Sequence, residues 1–296
     1  MSWRVVYITE PSKLRLQDNA LVIEKEQTHR VPLEDISTIV IETLQSTVST
    51  QLLSQLSKHK IAVVICDDTH TPNGVLYHIG AHCRHPKVAK AQINTTSETK
   101  GLLWQQITRR KLLNQAKCVE LCVGEEQALK LYEYADNVLP NDNGCVEGYA
   151  AAYYFSVLYK NFKRDTEALV DVRNAAMNYG YALIRANIIR SIAAVGLLPV
   201  FGIKHDSELN PFNLADDLIE SFRPFIDKIV FENFDGKDTD RFLEKSDKVE
   251  LLGIFSQKFS VDGKRLFLSS AIEAECESLV NVFFGNKKQL LLPEFV

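Results

Sequence analysis

The chain has 296 residues with a net charge of −4, long enough for one large or two modest domains with sizeable cores. Its 46% apolar and 24% charged residues are those of an ordinary globular protein, and its longest apolar run, 192–203, contains Gly and Pro and is too short to span a bilayer. The negative balance excludes a uniformly basic nucleic-acid binder but not a local basic surface. The first residues, Met1 to Arg4, lack the apolar core of a signal peptide, so a cytoplasmic protein is expected. Six scattered cysteines form no disulfide-like framework, and reduced thiols are expected.

The first eighty residues read as strands. Segments 4–8, 13–16, 21–23 and 29–31 are short and alternating or β-branched, separated by Pro11-Ser12 and Asp18-Asn19 turn signals, and 36–41 is strongly β-branched. Val48, Leu52 and Leu56 keep a helical spacing, 61–66 reads as a buried strand, and Asn73-Gly74 reads as a hairpin turn. Asp67 and Asp68 after that strand suggest a phosphatase-like site, but turn chemistry explains them equally well. His78, His82, Cys83 and His85 could hold zinc, although their spacing matches no common structural zinc pattern.

Between Arg84 and Lys117 eight Lys or Arg residues face a single acid, Glu98. Such local density can hold phosphates whatever the total charge, because screening leaves only nearby charges to count; a solvated linker and helix face is the competing reading. From residue 102 onward the pattern is helical. Ala128, Leu131, Tyr132, Ala135, Val138 and Leu139 form a stripe ended by Pro140, and residues 141–144 form a loop able to cap the next helix. That helix carries Glu147 in its first turn, on the face of Ala150, Ala151 and Tyr154, which leaves room for a ligand. In the helical region 168–198 the polar run 173–181 interrupts an apolar helix, implying a packed polar network or a binding surface. The stretch 250–286 reads as helical in parts, and 286–296 as a tail docking through Leu290, Leu291 and Leu292.

The most informative stretch is 202–225. His205 lies in a polar loop, Asn210-Pro211 reads as a helix start with Asn as the cap, and Leu214, Leu218, Phe222 and Phe225 would bury one side. Asp216, Asp217 and Glu220 then share adjacent turns of one face. A histidine beside a carboxylate face is the raw material of a divalent-metal site. First-turn acids that complement the helix dipole are the ordinary alternative.

Four stretches carry a resemblance: Glu147-Gly148 with the alanines and tyrosines after it, 174–183, Gly196 to Pro199 leading to Gly202 and His205, and 213–220 followed by Phe222-Arg223-Pro224. Together they resemble the CRISPR-associated spacer integrases of the Cas-one family, most closely those of type II systems. The resemblance implies an α+β chain in which a small β-rich N-terminal domain, 1–82, expected to take part in dimerisation, precedes an α-helical metal-dependent catalytic domain, 83–296. It implies metal ligands at Glu147, His205 and Glu220, with Asp217 in support and Mg²⁺ or Mn²⁺ as the ion. Arg173 departs from the Pro that many relatives carry before the Asn.

The implied reaction is insertion of short foreign duplexes into a repeat array by 3′-hydroxyl attack on phosphodiesters. Implied partners are double-stranded DNA, a second copy of the chain and the small Cas-two protein. Arg84, Lys100, Arg109, Arg110 and Lys111 are candidate phosphate contacts, and Tyr179 or Tyr181 could touch DNA. A structure-specific nuclease or resolvase using water in place of the 3′-hydroxyl, and a non-catalytic DNA-binding scaffold, are the rival readings.

Overall fold

A computed structural model describes residues 4–68, 72–78, 84–165, 170–236 and 238–296. The β-branched segments form two four-stranded sheets. In the first, β1 (Arg4–Ile8), β5 (Ile36–Ile41) and β7 (Ala62–Cys66) run parallel and β8 (Pro72–Leu76) lies antiparallel beside β7. All six residues of β5 are buried, as a continuous β-branched run covered on both faces requires. The second sheet has β2 (Lys13–Gln17) and β3 (Ala20–Glu24) at its centre, flanked by β6 (Thr47–Val48) and β4 (His29–Pro32). Asp18 and Asn19 join β2 to β3 with φ of 47° and 56°, the left-handed pair that suits the twist of a two-residue hairpin. Asn73 and Gly74 differ from expectation: they lie inside β8, with Gly74 opposite Ile65.

Helix α1 (Thr50–Lys58) is capped by Ser49, whose hydroxyl accepts from the Leu52 amide. Leu14, Leu21, Ile36, Ile39, Leu52, Leu56 and Val63 pack as one core between the sheets and α1. Val40, Val64 and Cys66 point the other way and join the large helical core, so the first sheet is shared by both parts of the chain.

The helical part runs through α2 (His85–Ile93), α3 (Ser97–Cys122), α4 (Glu125–Asp136), α5 (Val146–Leu158), α6 (Val172–Ala194), α7 (Asn213–Leu218), a 3-10 turn (Ile219–Ser221), α8 (Arg223–Phe234), α9 (Lys245–Leu252) and α10 (Leu268–Phe283). Helix α6 packs against β7, β8, α8 and α10. A Cβ at Gly180 would lie 2.7 Å from Ile226, so α6 and α8 approach this closely because Gly stands there. The polar run on α6 is a packed network, with Arg164 donating to Asn174 Oδ1 (2.9 Å) and Asn178 Oδ1 (2.6 Å). Arg173 is buried and pairs with Asp171 and Asp235.

Part of 250–286 is not helical. The strands β9 (Lys258–Val261) and β10 (Lys264–Phe267) form an antiparallel hairpin turned by Asp262 and Gly263, at φ of 51° and 72°. The tail docks as expected: Leu290 and Leu292 are buried, Glu294 exchanges two backbone hydrogen bonds with Ser260, and Phe295 stacks on Phe225. Among the described residues no helix is long and apolar enough to cross a membrane.

Candidate active site

Helix α3 runs through the helical part and brings Lys111 to the point where α5 and the 3-10 turn meet. On α5, Glu147 sits in a first turn that the preceding loop caps: Asp142 accepts from the amides of Val146 (2.9 Å) and Glu147 (3.2 Å). Glu220 is held in the 3-10 turn, whose Ser221 carbonyl accepts from Asn114 of α3 at 2.8 Å. Lys111 Nζ donates to Glu147 Oε1 at 2.6 Å and lies 2.5 Å from Glu220 Oε2 as an ion pair. The other oxygen of Glu220 accepts from Arg223 Nε at 2.8 Å, and the Arg223 guanidinium lies over the Tyr181 ring. Two carboxylates from separate elements therefore converge on one ammonium.

Charge and burial compete in this cluster. Burial alone would raise the Glu220 carboxyl, but Arg223 and Lys111 outweigh it and bring it down to about 2. Burial likewise works against the Lys111 ammonium, and Glu220 and Glu147 overcome it, leaving that group above the usual lysine range. Glu220 is an anion and Lys111 a cation at neutral pH.

His205 lies within electrostatic reach of Glu220, on a loop wrapped around Asp217. The buried Asp217 carboxylate accepts from the backbone amides of Ile203, Lys204 (3.1 Å) and His205 (3.1 Å), and His205 Nδ1 lies 2.8 Å from Asp217 Oδ1. A neutral imidazole facing a carboxylate must carry its proton on Nδ1, which turns the Nε2 lone pair outward. The hydrogen bond to Asp217 raises the His205 pKa; burial opposes it. The Trp104 and His205 rings stand perpendicular, with their centres 5.9 Å apart.

The loop itself is fastened by amide side chains. Gln92 of α2 bonds both Leu198 and Phe201, Asn213 bonds the carbonyls of Val200, Ser207 and Asn210, and Lys100 Nζ donates to the Gly202 carbonyl at 2.9 Å. A Cβ at Gly202 would fall 2.2 Å from the His205 carbonyl and 2.7 Å from Asp217 Oδ2. The loop can fold this tightly around the carboxylate because residue 202 has no side chain.

The acids read as one helix face separate in the structure. Asp216 pairs with Arg185, Asp217 turns into the histidine loop, and Glu220 faces Lys111, because α7 ends at Leu218 and the chain tightens into the 3-10 turn. Asn210 does not cap α7: the helix starts at Asn213, and Asn210 instead accepts from the Phe212 amide and donates to Asp216. Glu147, Glu220, Asp217 and His205 thus occupy one region, but no three His, Cys, Asp or Glu side chains among the described residues form a ready metal cluster.

The basic segment spreads over several directions. Arg109 pairs with Asp136, Arg110 with Glu294, Lys100 holds the histidine loop, and Lys111 lies in the carboxylate pair; Arg84, Lys87 and Lys90 are exposed on and beside α2. Tyr179 and Tyr181 are buried at 2% and 7% exposure, with the Tyr181 hydroxyl bonded to Asp227, so neither ring presents a face to solvent. Burial follows from their positions on the core side of α6. Of the zinc candidates, His82 and Cys83 lie outside the described residues, while His78 lies 3.1 Å from the Ser57 hydroxyl.

Arg223 was missed as a site residue by the sequence reading, and Lys111, expected as a phosphate contact, instead lies between the two carboxylates. Arg223 stands three residues after Glu220, a helical ion-pair spacing that could have flagged it; nothing local distinguishes Lys111 from Arg109 and Arg110.

The chemistry of the donor set fits a divalent cation. Glu220 Oε2 is a buried carboxylate oxygen that faces the Lys111 ammonium at 2.5 Å. It and Glu147 already share a positive charge, and His205 offers an outward Nε2 lone pair oriented by Asp217.

Comparison with known proteins agrees over nearly the whole chain. Residues 6–260 match the family described as CRISPR associated protein Cas1. The CRISPR-associated endonuclease Cas1 of Neisseria meningitidis is 36% identical over 299 residues, covering 100% of this chain and 97% of its own. A casposase bound to integration product superposes with a TM-score of 0.78 at 20% identity, over 98% of this chain and 92% of that one. A chain of a Cas6-RT-Cas1–Cas2 complex does so with a TM-score of 0.74 at 18% identity, over 99% of this chain and 36% of that one. The chain belongs to the Cas1 family.

Proposed function

We propose that this protein is a metal-dependent DNA integrase and endonuclease that inserts short duplexes into a CRISPR repeat array by attack of a 3′-hydroxyl on a phosphodiester. The observation that carries the reading is the meeting of Glu147 and Glu220, from α5 and the 3-10 turn, on one cation position, with His205 within electrostatic reach of Glu220. The family, the endonuclease relative and the fold shared with a casposase bound to integration product support it.

Glu147, His205 and Glu220 would hold Mg²⁺ or Mn²⁺. When bound, such an ion supplies neutralisation of the charge that builds on the phosphate oxygens during transfer. Glu220 contributes a fixed anion, because Arg223 and the 3-10 turn immobilise it. Asp217 holds the imidazole of His205 in one tautomer and orientation. Glu147 and His205 are the open members of the set, with side chains 27% and 46% exposed, so DNA would approach from their side. Arg84, Lys87 and Lys90 are the candidate phosphate contacts there, since Gln92 of the same helix is stitched to the loop leading to His205. A second copy of the chain and a Cas2 protein are the proposed partners, the latter because the matched complex contains one.

A strand-transfer assay with a duplex donor and a repeat-bearing target in Mn²⁺ tests the reading. Wild type should yield joined strands, chelator should abolish them, and Glu147→Gln or Glu220→Gln should lower the rate at least about a hundredfold. Joining by Glu220→Gln at the wild-type rate would sink it. Cut but unjoined products would mark a hydrolytic nuclease instead.

A further inference from the structure

The Glu147–Glu220 pair is neutralised by the protein itself. Two carboxylates meet two cations, Lys111 and Arg223, in a cluster where Lys111 and Glu220 have side chains only 11% and 8% exposed. The two cations are not equivalent. Arg223 is anchored, bonded to Glu220 Oε1 at 2.8 Å with its planar group 4.6 Å from the Tyr181 ring centre. Lys111 carries a compact ammonium on a flexible stem, shared between Glu147 Oε1 at 2.6 Å and Glu220 Oε2 at 2.5 Å. A divalent ion placed against both carboxylates would share its space with that ammonium, and like charges in so buried a site repel strongly.

We propose that Lys111 is the resident counter-cation of the Glu147–Glu220 pair and that a divalent ion binds by displacing its ammonium, so that Lys111 sets the metal affinity of the site. The proposal rests on the metal-dependent reading above and adds a positioning role: Lys111 holds the two carboxylates together before the ion arrives and weakens the ion's binding by competing for them. Its partial burial makes the competition matter, because an exposed lysine would be screened and displaced at little cost.

The test is calorimetric titration of the full chain, stripped with chelator, with Mn²⁺ alone. Lys111→Met removes the charge while keeping most of the stem, and its Kd for Mn²⁺ should fall at least about tenfold relative to wild type. Lys111→Arg keeps the charge and should stay within about threefold of wild type. In chelator Lys111→Met should melt below wild type, because two carboxylates then face each other, and Mn²⁺ should raise its Tm by more than it raises that of wild type. Lys111→Gln gives the same comparison if the Met variant does not fold.

An unchanged or weaker Kd for the neutral variants overturns the proposal. Glu220→Gln separates it from the metal reading. If wild type binds Mn²⁺, Glu220→Gln does not, and Lys111→Met binds as wild type does, the role of Lys111 falls and the metal site stands. If neither wild type nor Lys111→Met takes up Mn²⁺, both fall.

Discussion

Asp217 shapes the site without offering a free oxygen to it. Its carboxylate takes three backbone amides and the His205 ring, all inside the protein, so it acts through His205. Asp217→Asn would turn one oxygen into an NH₂ group facing amide donors, at a cost of about 2 kcal/mol and more if the loop opens. A drop in denaturant stability of that size, with Mn²⁺ affinity falling about tenfold or more, is the expected outcome. Gly202→Ala probes the same loop from the backbone side. The added methyl would stand 2.2 Å from a carbonyl that belongs to the loop itself, so His205 must move. Strand joining should fall at least about tenfold while the helical circular dichroism stays that of wild type. These roles were only partly legible in the sequence. Glu147, His205 and Glu220 could be named through motif resemblance, but the division of labour among Asp216, Asp217 and Glu220 could not. Helical spacing places three acids on one face, whereas the switch to a 3-10 turn after Leu218 sends each to a different partner.

At the level of elements, three helices meet on one buried carboxylate behind the site. Asp227 of α8 accepts from Tyr154 of α5 (2.9 Å) and from Tyr181 of α6, and its carbonyl accepts from Tyr159 at 2.7 Å. Burial raises the Asp227 pKa to about 6, while the hydrogen bonds from Tyr181 and Tyr154 pull the other way and only limit the rise. A carboxyl raised from 3.8 to about 6 contributes stability that is full below pH 4 and is lost as the pH climbs through 6. An Asn at this position has no charge to bury. The stability of Asp227→Asn relative to wild type should therefore improve by about 3 kcal/mol between pH 4 and pH 7, read from urea midpoints. A flat difference across that range would show that the network ionises freely. The β9–β10 hairpin gives a second element-level test. Asp-Gly between Phe259-Ser260-Val261 and Lys264-Arg265-Leu266 is a strong hairpin signal in the sequence, and reading 250–286 only as helical in parts left it unused. Nothing lies near the Cβ position of Gly263, so Gly263→Ala isolates the cost of φ +72°, about 1 kcal/mol, with no clash to confuse it.

The two parts of the molecule are joined by polar contacts buried between them, and this bears on how the whole chain unfolds. Glu42, just beyond β5, meets Lys248 of α9 and the hydroxyl of Tyr7, while Thr38 bonds Asn187 of α6 at 3.0 Å and Arg190 reaches the Lys60 carbonyl. None of these pairs could be read from the sequence, because their members come from strands and helices whose contact depends on the complete fold. The apolar side of the junction points the same way, since Val40, Val64 and Cys66 belong to the helical core. The β-rich part up to residue 78 and the mainly helical part from residue 84 therefore share packing. Calorimetric melting of the whole chain should show one transition, not a β-rich and a helical step. Removing one member of the buried ion pair is the sharper measurement. Lys248→Met takes the countercharge from the buried Glu42 carboxylate and should cost about 3–5 kcal/mol. Adding Glu42→Gln removes the remaining buried charge, and the double variant should recover at least about half of that loss. If Lys248→Met instead melts as a separate early step of the β-rich part, with the helical part unchanged, the shared core does not couple the two parts.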